Sequence, residues 1–251
     1  MRRHDAHTAL RVIAALALAL VVLQALAATA GAAAVDPTAR RSVVLGRSVD
    51  GRPIVAIETG DLDASRHALV VGCIHGNEPA GIAIADALAR DLPPHELDLW
   101  IVPVLNPDGV AADTRGNAHG VDLNRNFPYR WRPLGGVYDS GAHPLSEPES
   151  RIARRLITRL DPQVSIWFHQ HLDVVDKSGG DVAVERRFAS LSGLRLARLP
   201  REPGSVVAWQ DHRAPKSTAF VVELPAGALP AASVTRFARA VLEVAAGAPG
   251  D

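Results

Sequence analysis

Polar residues that could bind a metal ion or move a proton follow four apolar runs of the sequence. Each apolar run is typical of a buried strand, and parallel strands of one sheet end at the same edge. Imidazole and carboxylate groups gathered there would suit zinc-dependent hydrolysis, which needs three protein ligands, an open position for water and a nearby base. The four sets are His75 with Glu78, Asn106–Gly109, His169–His171, and Glu223.

His75 and Glu78 stand where a predicted strand gives way to a predicted helix. Residues 68–74 are apolar throughout, and residues 79–91 have the composition of a helix. A histidine and a carboxylate three residues apart at such a turn can converge on one ion, and zinc accepts both donors. A capped helix start with an incidental histidine has the same local pattern, so these four residues alone leave both interpretations open.

Glu223 has the surroundings expected of a general base. Apolar residues precede it, and Leu224 and Pro225 follow it, so its carboxylate should be partly desolvated. Desolvation raises the pKa of a carboxyl group towards values useful for proton transfer near neutral pH. The alternative is a buried ion pair between Glu223 and an arginine.

A long polar segment, residues 105–145, carries two arginines of interest. The guanidinium groups of Arg115 and Arg125 are planar forks suited to an oxyanion and a carboxylate respectively, and Asn124 could share one carboxylate with Arg125. Taken alone, such arginines are more often surface ion-pair partners. Their place in a long loop that faces a predicted metal favours a functional role, because loops of this length in compact domains are usually functional.

The apolar pattern predicts the elements that must position these residues. Alternating strands and helices predict a single α/β domain with a mixed, mostly parallel twisted sheet, helices on both faces and the site at the carboxyl ends of the strands. Ser146 and Glu149 have the spacing of a capping box, and Ser233 is a second candidate cap. The predicted strands are 43–45, 53–58, 68–74, 97–104, 164–168 and 218–222, and the predicted helices are 79–91, 146–160 and 233–245.

The N-terminus has the layout of a secretory signal peptide. Two arginines precede an apolar run over residues 12–26, and small residues follow. We therefore expect a signal peptide at residues 1–30, a linker at residues 31–40 and the catalytic domain at residues 41–247. The apolar run is shorter than a usual membrane span, so we expect an exported protein (periplasmic, cell-wall or extracellular) with no stable membrane span after cleavage. An uncleaved anchor is the alternative.

The composition indicates one globular domain and argues against nucleic acid as a binding partner. The 251 residues suffice for one domain with a sizeable core, and their formal net charge is zero. There is no basic stripe, so nucleic acid is not an expected partner. Cys73 is the only cysteine, which excludes an intramolecular disulfide. Nothing in the sequence indicates an oligomeric state.

Taken together, several motifs resemble the zinc carboxypeptidase family. They occur in that family's order and extend over residues 68–227, most of the mature domain. The ordered set is far more specific than any one of its parts. The motifs are His75-Gly-Asn-Glu78, Asn106-Pro-Asp-Gly109, Gly120-Val-Asp-Leu-Asn-Arg-Asn-Phe-Pro128, Ser146-Glu-Pro-Glu149 and Val222-Glu-Leu-Pro225.

The resemblance implies a role for each matching residue. His75, Glu78 and His169 match the three ligands of one Zn²⁺ ion. Arg115 matches the arginine that polarises the scissile carbonyl and stabilises the oxyanion. Asn124 and Arg125 match the pair that binds the free carboxylate of the substrate. Glu223 matches the glutamate that activates the attacking water and later passes a proton to the leaving amine.

This chain departs from the family pattern in two places. His171 lies two residues beyond His169, and alternate residues of an extended segment share a face, so His171 is a second candidate for the third ligand. Digestive members carry a substrate-contacting tyrosine upstream of the catalytic glutamate, whereas residues 201–220 contain none. Trp209 and Asp211 occupy this interval, and both are predicted to bind substrate.

The short chain, the export signal and the Pro203-Gly-Ser205 stretch look more like the bacterial murein peptide amidases. Those enzymes cleave the bond between D-glutamate and a diamino acid. In such an enzyme Asp211 could pair with an amino group of the diamino acid, although a solvated turn aspartate is an equal interpretation. A murein peptide is therefore one candidate substrate.

The leading hypothesis is an exported zinc metallopeptidase, of carboxypeptidase or murein peptide amidase type, that hydrolyses an amide bond next to a free carboxylate. The alternative enzyme is a zinc-dependent deacylase of small N-acyl amino acids, which would resemble aspartoacylase or succinylglutamate desuccinylase. A catalytically inactive, peptide-binding relative is the third hypothesis.

Overall fold

A mixed eight-stranded sheet forms the centre of the computed structural model, which describes residues 38–91, 93 and 96–247. Along the sheet the strands follow the order β1-β2-β4-β3-β5-β8-β6-β7. The strands are β1 (Thr38–Arg47), β2 (Pro53–Asp61), β3 (His67–Val71), β4 (Asp98–Val102), β5 (Val164–Gln170), β6 (Val174–Asp176), β7 (Arg195–Ala197) and β8 (Thr218–Leu224).

The four central strands are parallel, and the strands nearer the edges are mixed. β4, β3, β5 and β8 pair in parallel, and their residues are almost all buried. At one edge, β1 and β2 form a hairpin that turns at Asp50 and Gly51, and β2 pairs with β4 in antiparallel orientation. At the other edge, β6 pairs with β8 in antiparallel orientation and with β7 in parallel orientation. Continuous apolar sequence gives strands that are covered on both faces.

The described residues form six helices, and all but the short α2 cover the two faces of this sheet. On one face α1, α4 and α6 bury Ile84, Phe188 and Phe237 against the sheet. On the other face α3 and α5 bury Ile152 and Val206. The predicted fold class, a single mixed α/β domain with a mostly parallel sheet, is confirmed. The helices are α1 (Ala80–Arg90), α2 (Pro107–Ala112), α3 (Pro148–Leu160), α4 (Val182–Ser192), α5 (Val206–Arg213) and α6 (Ala231–Ala245).

Every predicted element is present, but several boundaries differ. β3 ends at Val71 rather than at residue 74, although the chain still follows β4 through the hydrogen bond from the Leu105 amide to the Cys73 carbonyl, 2.8 Å. Five further elements were not predicted: the three-residue strands β6 and β7 and the helices α2, α4 and α5. The segment predicted as loop, residues 105–145, contains α2 and two turns of 3₁₀ helix, Leu123–Arg125 and Gly136–Tyr138.

Both predicted helix caps are wrong. Helix α3 begins at Pro148 with Glu147 as its N-cap residue, and no side chain caps it. The hydroxyl of Ser146 instead donates to Glu147 Oε1. Ser233 lies inside α6, which begins at Ala231. Proline at the first helical position has no amide to satisfy, which reduces the need for a side-chain cap at α3.

The expected signal peptide at residues 1–30 lies outside the described residues, so its assignment stays a prediction. Residues 38–40, placed in the expected linker, belong to β1. Within the part of the chain that the structure describes, we find no helix both long enough and apolar enough to span a bilayer.

Candidate active site

His75, Glu78 and His169 meet at the carboxyl ends of β3 and β5. His75 Nδ1 lies 3.0 Å from Glu78 Oε2, and His169 Nδ1 lies 2.9 Å from the same oxygen. The two Nδ1 atoms are 3.1 Å apart, and all three residues are buried. His75 reaches this point on the turn after β3, Glu78 lies just before α1, and His169 is within β5.

This cluster fits a single zinc ion. Tetrahedral zinc with bonds of about 2.0–2.1 Å holds its donors about 3.3 Å apart, close to the separations between these three atoms. Two ring nitrogens and one carboxylate oxygen also make the donor set that zinc accepts at catalytic sites. Because the three atoms lie so close together in a buried place, a cation between them would remove the repulsion among their lone pairs.

The turn that carries His75 and Glu78 depends on a close backbone approach. A Cβ atom on Gly76 would lie 1.9 Å from the backbone carbon of Gly109. Only glycine therefore allows this turn to pack against the start of α2, where Asn106 Oδ1 accepts a hydrogen bond from the Gly109 amide at 2.9 Å. The two motifs that contain Gly76 and Gly109 thus touch each other.

Asp122 orients both a zinc ligand and an arginine. Its Oδ1 lies 2.9 Å from His75 Nε2, and its Oδ2 accepts a hydrogen bond of 2.9 Å from Arg115 Nε. Because Asp122 interacts with Nε2 of His75, the other ring nitrogen, Nδ1, is free to face the cluster. In the sequence Asp122 belongs to the motif of residues 120–128 without an assigned role. Its place as a carboxylate just before Asn124 and Arg125 is the signal that could have identified it.

The charges in this cluster support one another. Burial alone would raise the pKa of Glu78 and of Asp122, but the neighbouring histidines hold both pKa values well below their usual range. Burial alone would lower the pKa of His75, yet Asp122 and Glu78 together raise it. Arg115 Nη1 donates to Glu78 Oε1 at 2.8 Å and adds positive charge on the other side of this carboxylate. Both carboxylates therefore remain ionised, as ligation and orientation require.

Glu223 lies beside His169 on the neighbouring strand. The two residues are register partners in the parallel pair β5–β8, so their side chains project from the same face. Burial raises the pKa of Glu223, and its Oε2 is buried without a hydrogen-bond partner in the described structure. The geometry agrees with a desolvated carboxylate beside the metal cluster and not with the alternative of a buried ion pair.

Asn124 and Arg125 are buried in the wall of the same cavity. Asn124 Oδ1 accepts a hydrogen bond of 3.0 Å from the Val206 amide, which leaves the amide nitrogen of its side chain for a ligand. Arg125 Nη1 donates to the Asn124 carbonyl at 2.9 Å, while its buried Nε has no partner among the described residues. Gly204 fits against this pair because a Cβ there would lie 2.0 Å from the Arg125 carbonyl oxygen.

One cavity of about 620 Å³ joins all seven residues assigned to chemistry or carboxylate binding. Its lining includes the metal cluster, Glu223, Arg115, Asn124 and Arg125. A carbonyl held between the metal cluster and Arg115 would lie near Glu223, and a carboxylate would meet Asn124 and Arg125. The cavity therefore brings a zinc-type donor set, a desolvated carboxylate and two arginines together.

His171 lines this cavity but lies outside the metal cluster. Strand β5 ends at Gln170, and His171 is exposed on the turn that follows. The group of side chains that could hold an ion contains His169 and not His171. The alternation argument that kept His171 open failed because the extended segment stops before it.

The structure places Trp209, a predicted substrate contact, away from the cavity. Trp209 does not line the cavity; its side chain is buried in the core on the α5 face of the sheet, with its ring 5.4 Å from that of Phe127. Asp211, two residues further along α5, lies in a second cavity of about 510 Å³. Residues two apart in a helix point in widely different directions, so one segment could not present both side chains to one ligand.

The second cavity adjoins the first. Both are lined by Arg201, Glu202 and Ala208. Asp211 Oδ1 accepts a hydrogen bond of 2.8 Å from the Ala219 amide, whereas its buried Oδ2 has no partner in the described structure. Burial raises the pKa of Asp211 to about 6. Its role as a substrate ligand stays a proposal.

The fold and this site define a member of the zinc carboxypeptidase family. The sequence profile of that family, described as zinc carboxypeptidase, matches residues 26–177, more than half of the chain, and the chain belongs to the family. Murein peptide amidase A of Escherichia coli (strain K12) is 34% identical over 146 residues, which cover 52% of this chain and 60% of that protein. The catalytic chain of carboxypeptidase N from Rattus norvegicus is 30% identical over 195 residues, covering 61% and 42% respectively.

The solved structures give the same result for the fold. The murein-tripeptide amidase of Escherichia coli O157 superposes with a TM-score of 0.68 at 27% identity, covering 84% of this chain and 93% of that one. Carboxypeptidase A of Helicoverpa armigera has a TM-score of 0.69 at 20% identity, covering 86% and 70%, and supports the fold alone. The sequence match itself spans about 60% of the length of the murein peptide amidase relatives.

Proposed function

We propose that this protein is an exported zinc-dependent metallopeptidase that hydrolyses an amide bond next to a free carboxylate, with murein peptides as its substrate class. The observation that carries the proposal is the meeting of a zinc-type ligand cluster, a desolvated glutamate and two arginines around one cavity. A deacylase of small N-acyl amino acids would not need the second, adjoining cavity.

Each residue has a distinct task in the proposed reaction. Bound at His75, Glu78 and His169, one zinc ion would supply Lewis acidity that polarises the scissile carbonyl and acidifies a water molecule. Glu223 would take the proton of the attacking water and deliver it to the leaving amine, a role that suits its raised pKa. Arg115 would stabilise the negative charge that develops on the carbonyl oxygen.

Arg125 and Asn124 would position the substrate. Arg125 and Asn124 both line the cavity, and the guanidinium group together with the free side-chain amide nitrogen can bind a carboxylate through charge-assisted hydrogen bonds. Fixing that carboxylate places the neighbouring amide bond near the metal cluster, so that attack by water becomes an oriented, effectively unimolecular step.

The second cavity supports a diamino acid as the residue that carries the carboxylate. Asp211 offers an unpaired, desolvated oxygen at a cavity that shares a wall with the first. An ammonium group on the substrate side chain would pair with it, and burial of Asp211 would make that pair stronger than it would be in water. Murein peptides contain such a residue next to a γ-linked D-glutamate, and the similarity to murein peptide amidase A supports the choice.

The test compares the wild-type protein with Glu223→Gln, both loaded with zinc, on a murein tripeptide. Mass spectrometry should show release of the diamino acid by the wild type and a rate lower by about 10³-fold or more in the variant, since general bases contribute about 10²–10⁴-fold. Both proteins should bind one zinc ion, because Glu223 is not among the ligand residues. Hydrolysis retained by Glu223→Gln would overturn the mechanism.

Two further arms separate the alternatives. A small N-acyl amino acid that is cleaved faster than the tripeptide would favour the deacylase. A wild-type protein that binds no zinc and cleaves neither compound would be a peptide-binding relative.

A further inference from the structure

Tyr138 lies over both arginines of the site. Its ring centroid is 5.3 Å from Arg115 Cζ and 5.5 Å from Arg125 Cζ. The side chain is half exposed at the mouth of the main cavity and belongs to its lining. The only other tyrosine, Tyr129, stacks on His212 at 4.2 Å and lines the second cavity, so Tyr138 is the tyrosine that the main cavity presents.

The Tyr138 ring lowers the electrostatic repulsion between the two arginines. Two guanidinium groups near one ring repel each other, and the negative face of an aromatic ring offsets part of that repulsion. Arg115 has anionic partners in Asp122 and Glu78. Among the described residues, Arg125 donates to the Asn124 carbonyl and has one carboxylate within ion-pair distance, that of Glu202 at 3.9 Å from Nε, while the charge of Asp122 acts on it from further away. The position of Arg125 therefore depends more on the ring than that of Arg115 does.

The backbone next to Tyr138 is tied to the segment that carries Arg125. The Asp139 carbonyl accepts a hydrogen bond of 2.8 Å from the Asp122 amide, and the Ser140 carbonyl accepts one of 2.8 Å from Asn126 Nδ2. Ser140 Oγ also accepts from the Leu134 amide at 2.9 Å, which closes the base of the loop. Any displacement of the loop would thus move the ring relative to the two arginines.

The tip of the loop, residues 135–138, is exposed and has room to move. A Cβ atom on Gly136 would meet no atom within 4 Å, and Gly136 has a φ of +66°, a conformation that favours glycine. Val137, beside Tyr138, is 68% exposed. The ring is therefore presented from a tight, open turn that is anchored at its base.

We propose that Tyr138 is a positioning and specificity residue that holds Arg125 beside Arg115 and towards the substrate carboxylate, so that its ring sets the preference for a substrate with a free carboxylate. This inference rests on the proposed function, because it assumes that the two arginines face a peptide. It assigns the recognition of the carboxylate partly to a loop outside the ligand and base motifs.

The test measures binding in the zinc-loaded Glu223→Gln background, where the peptide is not consumed. Calorimetry gives the dissociation constants of a murein tripeptide and of its C-terminal amide, and their ratio is the carboxylate preference. We expect a preference of about tenfold or more with Tyr138 present, since a charge-assisted hydrogen bond is worth about one such factor. Tyr138→Ala should reduce this preference at least fivefold, while Tyr138→Phe should keep it.

In the hydrolytically active protein, Tyr138→Ala should raise KM more than it lowers kcat, since Arg115 keeps its two anionic partners. Val137→Ala, a change on the same exposed tip, is the matched control and should leave the preference within twofold. If the wild-type tyrosine gives a clear preference for the free carboxylate and Tyr138→Ala leaves it unchanged, the role of Tyr138 is overturned and the proposed function stands. If no preference exists with Tyr138 in place, the proposed function and the inference both fail.

Discussion

The two sides of the active-site cavity are built differently. The metal side comes from the sheet: His169 and Glu223 are register partners on β5 and β8, and His75 follows β3 directly. The arginine side comes from the long segment between α2 and α3, which has little regular structure. In the proposed reaction the metal ligands and the base thus lie on or directly beside strands that share a core, whereas Arg115, Asn124 and Arg125 lie on a loop, where positions can change without disturbing that core.

Buried polar side chains supplement the apolar core contacts of Leu123 and Phe127 on the arginine side. Buried Asn117 donates to Glu147 Oε2 at 2.8 Å and to Glu149 Oε2 at 3.0 Å, and its Oδ1 accepts from the Val121 amide. Asn126 Nδ2 donates to carbonyls of the same loop. These bonds satisfy groups that would otherwise be buried unpaired, so polar contacts hold the base of the loop in addition to apolar ones.

The largest expected effect concerns the metal side. His169→Ala should lose the bound zinc and lower kcat/KM by more than about 10³-fold, because a cluster of two donors is left. His171→Ala, the matched control two residues away, should keep one zinc ion per chain. Metal analysis by mass spectrometry measures both. The reverse pattern would make His171 the third ligand.

Asp122→Asn should have the next largest effect. The amide can still contact His75 but loses the charge that fixes the ring, so zinc affinity should fall about 10–100-fold, as for other residues that orient a metal ligand. Competition with a chelator measures this affinity. Because Asp122 also binds Arg115, KM should rise as well, and an unchanged zinc affinity would contradict the assigned role.

A third change isolates the arginine side. Asn117→Ala leaves the buried carboxylates of Glu147 and Glu149 short of a donor, which should lower the free energy of unfolding by about 3 kcal/mol. Zinc content should be unchanged, while KM should rise about tenfold as the loop with Arg125 loosens. Denaturant unfolding, zinc analysis and kinetics on the same preparation test this. Loss of zinc would show that the two sides are not independent.

The smallest expected effect comes from the second cavity. Asp211 has a raised pKa of about 6, so its carboxylate is mostly protonated at pH 5 and mostly ionised at pH 7. Its pairing with an ammonium group should therefore strengthen as pH rises, and the preference for a diamino peptide over its monoamino analogue should grow up to about tenfold from pH 5 to 7. Asp211→Asn should abolish that pH dependence, as kcat/KM ratios would show.

Trp209→Phe is the matched control for Asp211→Asn on the same helix. Because Trp209 is a core residue, the change should lower stability by about 1–2 kcal/mol and leave the diamino preference intact. A lost preference with unchanged stability would restore Trp209 as a substrate contact.

The sequence predicted the sheet side of the molecule best. Long apolar runs predicted β3, β4, β5 and β8, and the spacing of apolar residues predicted α1, α3 and α6. These elements are buried, and buried elements have a recognisable apolar pattern. β6 and β7 are three residues long, too short for any periodic signal. The sequence indicated all the residues that meet on the metal side, because each lies at or just beyond the end of a recognisable apolar run.

The arginine side was predicted less well for a physical reason. The sequence named Asn124, Arg125 and Arg115, but it gave no signal for Tyr138, whose position depends on the base of a loop that has no periodicity. It also grouped Trp209 with Asp211, although a helix turns them towards the core and a cavity respectively. Loop geometry and helix phase are set by tertiary contacts that a single sequence does not show.

The register between β5 and β8 also governs the order in which the site can assemble. His75 and His169 are 94 residues apart, and Glu223 joins them only when the last strand of the sequence, β8, docks beside β5. Contacts this distant form late because chain entropy opposes them. The pairing of β8 with β5 spans fewer residues than the contact of His75 with His169, so a folding chain would bring Glu223 beside His169 at least as early as it completes the ion-binding cluster, and zinc binding would report completion of the whole site.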